Sequence, residues 1–293
     1  MLRQELIEVE FQNYIDQSPV APLNLYKQAC TNDTVTVESW KPTWKKNILA
    51  NKKHFGSFKD HGIQKIYGLN KNGVGIVAGA GPSLKHNASL LKDRKNISLV
   101  SCLHNFHYLE DLEANVDYYV SLDAGAVTVE EVTEGGKRSE EEYWDMTKNK
   151  VLLCYLATDP NLLKKWKGEI LFFNCPVPDT EYETWVWNDV EPFYPMVSTG
   201  GNVLGACMYI NKGWLGSYSN VFIGADFCFD NKKFHSWDSK YDEKLGQYIT
   251  TTNIFGNRVK TWQSYYNFKC WFDYIVQTVP GDWVNCTEGG TLG

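Results

Sequence analysis

VGIVAGAGPSLKHNASLL (residues 74–91) opens with an apolar, β-branched run that is typical of a buried strand. The run enters a Gly-Ala-Gly turn, where Gly79 and Gly81 allow backbone angles and close approaches that a Cβ would block. Pro82 has no N–H and therefore suits the first turn of a helix. The stretch thus predicts a strand, a tight loop and a helix N-terminus in immediate succession.

A loop of this kind predicts an anion site. The N–H groups of a first helical turn point at whatever lies above the preceding strand, and the helix dipole favours negative charge there. We therefore interpret the loop as a nucleotide or phosphate site. Its predicted binding residues are Gly79, Ala80, Gly81, Pro82 and Ser83.

The alternation of apolar strand-like runs with amphipathic segments continues to the end of the chain. Candidate strands span 74–79, 97–102, 117–122, 151–157, 170–175, 220–225 and 282–287. Candidate helices span 83–93, 105–114, 160–167, 200–213 and 261–277. This alternation predicts an α/β class, with a Rossmann-like, mainly parallel sheet covered by helices on both faces over residues 71–293.

Three segments depart from that pattern. Residues 1–70 are predicted to form a small helical N-terminal cap, with one helix in LRQELIEVEFQNYI (2–15) and a second that starts near Pro42. Residues 125–149 are acidic and polar, which predicts a surface excursion. Residues 176–199 are rich in proline and aromatic residues, and a long ordered loop of this kind is more often functional than accidental.

Composition excludes several classes of protein. A formal net charge of −6 provides no overall positive potential that would attract nucleic acid. The sequence contains no apolar run long enough to predict a transmembrane helix. The first residues lack the apolar core of a signal peptide. The eight cysteines show neither a CxxC pair nor a zinc-ligand spacing, which favours reduced thiols in a cytoplasmic protein.

Acidic residues follow three of the candidate strands: Asp123, Asp226 and Glu288. Because ligands of open α/β sheets bind beyond the carboxyl ends of parallel strands, these acids are predicted to lie at the same edge as the loop at 79–83. Such acids hold Mg²⁺, bind a ribose or act as a general base. Each alone could instead cap a following helix or turn.

Two common nucleotide sites are disfavoured. GAGPSL (79–84) lacks the lysine and the spacing of a P-loop. A dinucleotide fold needs an acid at the end of the second strand to hold a ribose, and SCLHN (101–105) contains none. The sequence therefore argues against NAD and S-adenosylmethionine.

Several ordered motifs carry a resemblance to a known family. They are GAGPSL (79–84), VSLD (120–123), GGNVLGACMYINKGW (200–214) leading into VFIGADFCF (221–229), His235 and NCTEGGTLG (285–293). Together they resemble the MptE-like domain family, whose archaeal members are 6-hydroxymethyl-dihydropterin diphosphokinases. The same domain recurs in motility-associated-factor proteins implicated in glycosylating flagellin with nonulosonic acids. IVAGAGPSLKHN (76–87) and SLVSCLHNFHYLED (98–111) are also similar to bacterial sialyltransferases with a GNGPS loop. The resemblance covers about 74–124 and 198–293.

The resemblance implies roles for individual residues. Gly79, Gly81, Pro82 and Ser83 would line a nucleotide phosphate, and Asn105 would meet the nucleotide from the end of the second strand. Ser198, Thr199 and Gly200 would contact the base or ribose, and a Ser or Thr there also suits a helix N-cap. Asp123 and Asp226 would lie at the substrate or at a metal ion, and His235 would be the base. The resemblance to the MptE-like family, rather than that to the sialyltransferases, includes Glu288, Gly289 and Gly290. Ala80 stands where the sialyltransferases carry Asn, which weakens that comparison.

His235 lies in a polar stretch, DNKKFHSWDSK (230–240), and is predicted to be exposed. An ordinary pKa near 6.5 would let it deprotonate an acceptor hydroxyl near neutral pH. It could equally be an ordinary loop histidine. His104 and His107 lie close to Asn105, so one of them could also contact a ligand.

Three functions remain open. The favoured one is a transferase that moves a glycosyl group from a nucleotide-activated sugar, such as a CMP-nonulosonate, to a small-molecule or glycan acceptor without a metal ion. The second is a diphosphokinase that uses Mg-ATP on a pterin-like hydroxymethyl substrate, with Asp123 and Asp226 as Mg²⁺ ligands. Few Lys or Arg residues near the motifs count against it. The third is a catalytically silent module that binds a nucleotide or sugar phosphate.

Overall fold

The computed structural model describes residues 25–193, 195–230, 235–236 and 248–292. Seven strands form one sheet in the order β5-β4-β3-β2-β1-β6-β9, and all of its neighbouring strands pair in parallel. These strands are β1 (Val74–Ala78), β2 (Ile97–Cys102), β3 (Tyr118–Ser121), β4 (Val151–Tyr155), β5 (Glu169–Phe173), β6 (Ser219–Ile223) and β9 (Asp282–Asn285). The predicted α/β class with a parallel sheet is confirmed, as is each of the seven candidate strands.

The strand order places a switch point beside the glycine loop. From β1 the chain adds β2 to β5 outward on one side, and β6 then pairs with the opposite side of β1. The connections that follow β1 and β6 therefore leave the sheet in opposite directions. In open α/β sheets, the crevice at such a point beyond the carboxyl ends is the usual place for a ligand.

The helices connect these strands. They are α1 (Leu25–Phe55), α2 (Leu84–Asn87), α3 (Phe106–Asp111), α4 (Val127–Glu131), α5 (Glu140–Met146), α6 (Pro160–Lys165), α7 (Thr180–Trp185), α8 (Val203–Tyr209) and α9 (Gln263–Thr278). Single π-helical turns follow α7 and α8, at Val186–Val190 and Ile210–Trp214. Among the described residues, no helix has both the length and the apolar character needed to cross a bilayer.

The helix predicted at 83–93 is much shorter in the structure. Regular α-helix covers only Leu84–Asn87, and a 3₁₀ segment follows over Ala88–Asp93. Asn87 leaves helical geometry at φ −124°, and its side-chain amide donates to the carbonyl of Cys286 at 2.7 Å. This bond to the last strand's end ends the helix early.

The N-terminal helix differs from the prediction in the opposite direction. Helix α1 runs without a break through Pro42, so the predicted helix start near that residue is wrong. Tertiary bonds hold the helix: Asn47 Nδ2 donates to the carbonyls of Ala124 and Ala157, both at 3.0 Å, and Asn51 donates likewise to the loop after β4. The other predicted helix, over 2–15, lies outside the described residues.

The excursion and the C-terminal region contain structure that the sequence did not indicate. Residues 125–149 carry α4 and α5, and Tyr143 and Trp144 of α5 are buried. A capping box between Ser139 and Glu142 starts α5. An antiparallel ribbon, β7 (Tyr248–Thr252) with β8 (Arg258–Trp262), precedes α9.

Glu191 anchors the aromatic segment at 176–199 to the end of α1. Its buried carboxylate accepts hydrogen bonds from the Ser57 hydroxyl at 2.8 Å and from the backbone N–H groups of Phe58 at 3.0 Å and Lys59 at 3.2 Å. Lys52 donates to the same carboxylate. Burial acts to raise the pKa of Glu191, but these hydrogen bonds outweigh it and hold the pKa below its ordinary value of 4.5.

Replacing Glu191 by Gln is expected to cost about 1–3 kcal/mol of the free energy of unfolding at pH 7, because the charged acceptor is lost. A lowered folded-state pKa stabilises the protein fully above pH 4.5, and this contribution disappears as the pH falls through the folded-state value. Urea unfolding at pH 7 and at pH 3 measures both effects. Glu169→Gln, at an exposed carboxylate, is the control. An equal Glu191→Gln effect at the two pH values would contradict the expectation.

Candidate functional site

The loop at Gly79–Ser83 uses most of its own N–H groups inside the protein. The N–H of Gly79 donates to the last carbonyl of β6 and that of Gly81 donates to the Gly224 carbonyl, both at 2.9 Å. The N–H of Ser83 donates to the Asp226 carboxylate at 2.8 Å. The sequence predicted that these amides face an anion. In the structure, these three N–H groups instead donate to the end of β6 and to the connection that follows it.

The two glycines are required by the close approach of this loop to the end of β6. A Cβ on Gly79 would lie 2.4 Å from the carbonyl oxygen of Gly224. A Cβ on Gly81 would lie 2.6 Å from the carboxyl carbon of Asp226. Both distances are far below a normal contact. The glycines therefore let two connections from neighbouring strands pack directly on each other.

Gly81→Ala is expected to lower the free energy of unfolding by about 1–3 kcal/mol, because the new methyl group must displace Asp226 or the loop. Urea unfolding measures the loss. Gly213→Ala is the matched control, since a Cβ there would meet Tyr209 at an ordinary 3.4 Å. If both variants had the stability of the parent, the loop would not be packed as described.

Asp226 is buried and bridges two loops. Both carboxylate oxygens accept hydrogen bonds from Ser83, one from its N–H and the other from its hydroxyl. Burial raises the pKa of Asp226, and the bonds from Ser83 oppose that rise. The Asp226 carbonyl accepts from the N–H of Thr291 at 2.8 Å. This geometry gives Asp226 a role in holding the loops together.

The C-terminal motif lies against the same loop. Gly290 has φ +83°, and a Cβ on it would lie 2.4 Å from Asp226 Cα. A Cβ on Gly289 would lie 3.4 Å from Ser83 Cβ, whereas the Glu288 side chain is exposed. The structure thus places Gly289 against Ser83 of the glycine loop and Gly290 against Asp226.

A second group of side chains, the histidine–carboxylate cluster, lies beyond β2 and β3. It consists of His104, Asp123, Glu131 and His235. His104 Nδ1 is 3.3 Å from a Glu131 carboxylate oxygen, and the rings of His104 and His235 lie 4.3 Å apart, centroid to centroid. The cluster reaches the glycine loop, because His235 Nδ1 is 3.3 Å from the Ala80 carbonyl oxygen.

Asp123 is the member of the cluster that opens to solvent. Solvent reaches its side chain, although neighbouring protein atoms partly desolvate the carboxylate. This surrounding protein and then the nearby Glu131 carboxylate raise the pKa of Asp123 to about 6, while His104 opposes the rise. A carboxylate with such a pKa is matched to proton transfer near neutral pH.

His235 does not have the ordinary pKa that the sequence predicted. Burial and then the charge of His104 lower its pKa to about 3, with a small opposing effect from the Ala80 carbonyl. The side chain is partly buried because residues 235–236 dock on Ala80, whose carbonyl also accepts from the Ser236 N–H at 3.1 Å. The prediction of an exposed imidazole with a pKa near 6.5 is therefore wrong, and the ring is neutral at physiological pH.

Asn105 lies between the cluster and the glycine loop. It is fully buried, and Nδ2 donates to the Gly79 carbonyl at 3.0 Å and to Ser101 Oγ at 3.1 Å. Among the described residues, nothing donates a hydrogen bond to its Oδ1. A buried acceptor without a donor is costly, so this oxygen is suited to a donor group of a ligand.

The segment at 198–200 is built differently from the prediction. Asn202 caps α8, with its side-chain oxygen accepting from the Gly205 N–H at 2.8 Å, so the predicted Ser or Thr N-cap is wrong. Thr199 instead accepts from the Gly201 N–H at 3.1 Å. Gly200 has φ +56° and packs on Trp271 of α9, where a Cβ would be 2.3 Å from the indole. Ser198 lies on the same loop and is partly buried.

Asp123 and Asp226 have different partners in the structure. The oxygens of Asp226 are buried and engaged by Ser83, whereas Asp123 is grouped with Glu131 and His104. Within the described ranges, no set of three His, Cys, Asp or Glu residues is arranged to hold a metal ion. Mg²⁺ ligation by Asp123 and Asp226 in a diphosphokinase stays a prediction.

Glu131 is the residue of the cluster that sequence reasoning missed. It lies in the acidic excursion, whose charges were read as a solvated surface. Helix α4 follows the connection that starts at Asp123 and carries Glu131 back to His104. The signal that could have identified Glu131 was the short connection between β3 and α4, because it keeps Asp123 and Glu131 at the same edge of the sheet.

Comparisons with known proteins agree with this architecture. The profile of a family described as 6-hydroxymethylpterin diphosphokinase MptE-like matches residues 46–232. The structure of a MAf glycosyltransferase from Magnetospirillum magneticum AMB-1 superposes with a TM-score of 0.53 at 13% identity, covering 80% of this chain and 36% of that one. This chain thus spans about a third of the length of that neighbour, and the likeness concerns the fold. No curated protein sequence matches the chain.

Proposed function

The chain belongs to the MptE-like family, and on this premise we propose that it is a transferase acting on a nucleotide-activated donor. The reaction is glycosyl transfer to a hydroxyl of a small-molecule or glycan acceptor, at the carboxyl edge of the sheet. A CMP-nonulosonate-like sugar is the proposed donor. The fold shared with a MAf glycosyltransferase supports this choice.

The observation that carries the proposal is the charge of the histidine–carboxylate cluster. Asp123 lies within electrostatic range of the Glu131 carboxylate, which raises its pKa, and of His104, which opposes that rise. Glycosyl transfer passes through an oxocarbenium-like centre, whose developing positive charge is stabilised by nearby carboxylates. Transfer of a diphosphate develops negative charge instead and is usually met by cations. The cluster therefore favours glycosyl transfer.

Asp123 is the proposed general base of this reaction. It is solvent-accessible, and its raised pKa of about 6 is close to the value that proton transfer at neutral pH requires. It takes the proton of the acceptor hydroxyl as the hydroxyl oxygen attacks the sugar carbon and the nucleotide phosphate leaves. The sequence assigned His235 as the base. In this proposal its neutral imidazole lines the site instead and contacts the Ala80 carbonyl.

The nucleotide is proposed to lie over Ala80 and Asn105. The Ala80 N–H donates to no described residue, unlike the N–H groups of the glycines on either side. Asn105 Oδ1 is a buried acceptor that a base or ribose donor would satisfy. Ser198, Thr199, Gly200 and residues 288–290 shape the rim in this proposal, and Asp226 holds the loops.

A diphosphokinase is the second candidate, because the matching family is described by that activity. It acts on 6-hydroxymethylpterin and needs Mg²⁺ for the phosphates of ATP. The two candidates differ in their metal dependence, so one assay separates them. A silent binding module would bind a nucleotide without any turnover.

The test combines thermal shift and turnover on the whole chain. Purified protein is heated with CMP, CDP, UDP, GDP, ADP and ATP, each with Mg²⁺ and with EDTA, since a ligand of the folded state raises the melting temperature. Hydrolysis of CMP-N-acetylneuraminate in EDTA is then followed by release of CMP. A metal-independent shift with CMP and release of CMP are the expected results. A shift that requires ATP and Mg²⁺ would replace this proposal by the diphosphokinase, and binding without turnover by the silent module.

A further inference from the structure

Helix α1 presents one continuous face to the carboxyl edge of the sheet. Trp40, Trp44, Asn47 and Asn51 recur at intervals of three or four residues, which places them on the same side of a helix. Asn47 and Asn51 donate to the loops after β3 and β4. This side of the helix is therefore fixed against the edge that carries the histidine–carboxylate cluster.

Trp44 fixes the same face through aromatic contacts. Its ring lies 6.3 Å from that of Tyr155 and 5.7 Å from that of Tyr182, centroid to centroid. The hydroxyls of Tyr155 and Tyr182 are hydrogen-bonded to each other at 2.7 Å in the interior. Trp44, one helical turn after Trp40, is thus packed against two buried tyrosines.

Trp40 is the next side chain along this face, and it is exposed. Its side chain keeps 40% of its surface accessible. The indole lies against the loop that follows Asp123, because a Cβ built on Gly125 would be 3.3 Å from Trp40 Cη2. Exposed Val127 borders the same spot, where its Cγ1 would be 3.8 Å from that Cβ. Gly125 is two residues after the solvent-accessible Asp123, so an aromatic and an aliphatic surface lie on the connection that Asp123 begins.

We infer that Trp40 is the wall of an acceptor site that binds a pyranose ring, with the apolar C–H face of the sugar on the indole and a hydroxyl directed at Asp123. The inference rests on the proposed function and names its acceptor as a carbohydrate. Helix α1 is then part of the acceptor site.

The shape of the surface favours a sugar over a flat heteroaromatic ring. A planar ring is apolar on both faces and is best buried between two walls. The described residues offer one wall of indole and Val127, and the connection that this wall borders begins at Asp123, whose carboxylate can accept hydrogen bonds from hydroxyls. A pyranose matches this arrangement, because one face is apolar and its hydroxyls reach water or carboxylates.

Binding is measured with methyl β-D-galactopyranoside as the probe, by saturation-transfer NMR and titration, on the full chain without a donor. Wild type should transfer saturation to the ring C–H protons of the sugar. Trp40→Ala should weaken the affinity by about tenfold or more, as for an aromatic anchor, and Trp40→Phe should retain part of it. Leu49→Ala is the control, since Leu49 is exposed on the opposite side of the same helix.

Equal affinity in wild type and Trp40→Ala, or no saturation of the sugar by wild type, would overturn the inference. If Trp40→Ala fails to fold, the comparison of Trp40→Phe with Leu49→Ala decides in its place. The inference would also be overturned if saturation transfer to 6-hydroxymethylpterin depended on Trp40 while the sugar received none. Because no donor is present, sugar binding that depends on Trp40 in a protein without transfer activity would count against the proposed function alone.

Discussion

Asp123→Asn is expected to lower the rate of glycosyl transfer by about 10²- to 10⁴-fold, the usual contribution of a general base. The substitution keeps the shape of the side chain but removes its ability to accept a proton. Turnover of CMP-N-acetylneuraminate with an acceptor measures the loss, and CMP binding by thermal shift should remain. Glu130→Gln, at an exposed acid of the same helix as Glu131, is the matched control.

The pH dependence of the rate gives an independent check of the same residue. Only the deprotonated carboxylate acts as a base, so the wild-type rate should rise about tenfold per pH unit below pH 6 and level off above it. The rising limb should disappear in Asp123→Asn. A limb that persists unchanged in the variant, or full activity of the variant, would remove Asp123 from this role.

Lys150→Met is expected to cost about 3–5 kcal/mol of the free energy of unfolding, because it leaves a buried carboxylate without its cation. Lys150 Nζ is 2.8 Å from a Glu110 carboxylate oxygen, and both side chains are buried. The Tyr119 hydroxyl donates to the same carboxylate at 2.7 Å. Glu110 belongs to α3, which follows directly on Asn105, and Lys150 immediately precedes β4, so this pair ties the helix after Asn105 to the sheet.

Urea unfolding at pH 7 measures this effect against Lys148→Met. Lys148 forms an exposed ion pair with Asp145 at 3.1 Å, and its loss should cost less than about 1 kcal/mol. The double variant Glu110→Gln with Lys150→Met should recover part of the loss, because no buried charge is left unpaired. Similar losses in the two lysine variants would show that the Lys150 pair is not buried as described.

The sheet could be predicted because parallel strands covered on both faces consist of continuous apolar runs. VGIVA (74–78) and ISLVSC (97–102) are such runs, and each is a strand in the structure. The ribbon of β7 and β8 was missed because YITTT (248–252) and RVKTW (258–262) are largely polar and half exposed. Helix α1 was predicted to start only near Pro42, because proline suits the first turn of a helix and is disfavoured in its interior. In the structure the helix runs through Pro42, and the bonds of Asn47 and Asn51 hold it against the sheet.

The candidate site was predictable in position but not in chemistry. Parallel strands place Asp123, Asp226 and the glycine loop at one edge, and local sequence suffices for that conclusion. The predicted roles of Ser83 and Asp226 as ligand contacts did not allow for their bonds to each other, across 143 residues of chain. The loop N–H groups were thus assigned to a ligand, whereas in the structure those of Gly79 and Gly81 donate to carbonyls at the end of β6 and just after it.

The sequence by itself determined the parallel sheet and the edge at which the acidic and glycine motifs meet, because both depend on local apolar patterning and strand direction. The strand order, and with it the switch point, came from the tertiary structure. Only the tertiary structure decided which polar groups face a ligand. The pKa values of Asp123 and His235 depend first on burial, then on the charge of Glu131 for Asp123 and of His104 for both, and the fold sets that burial and brings His104 to the two side chains. Burial and neighbouring charge are properties of the packed molecule, and they set protonation and access.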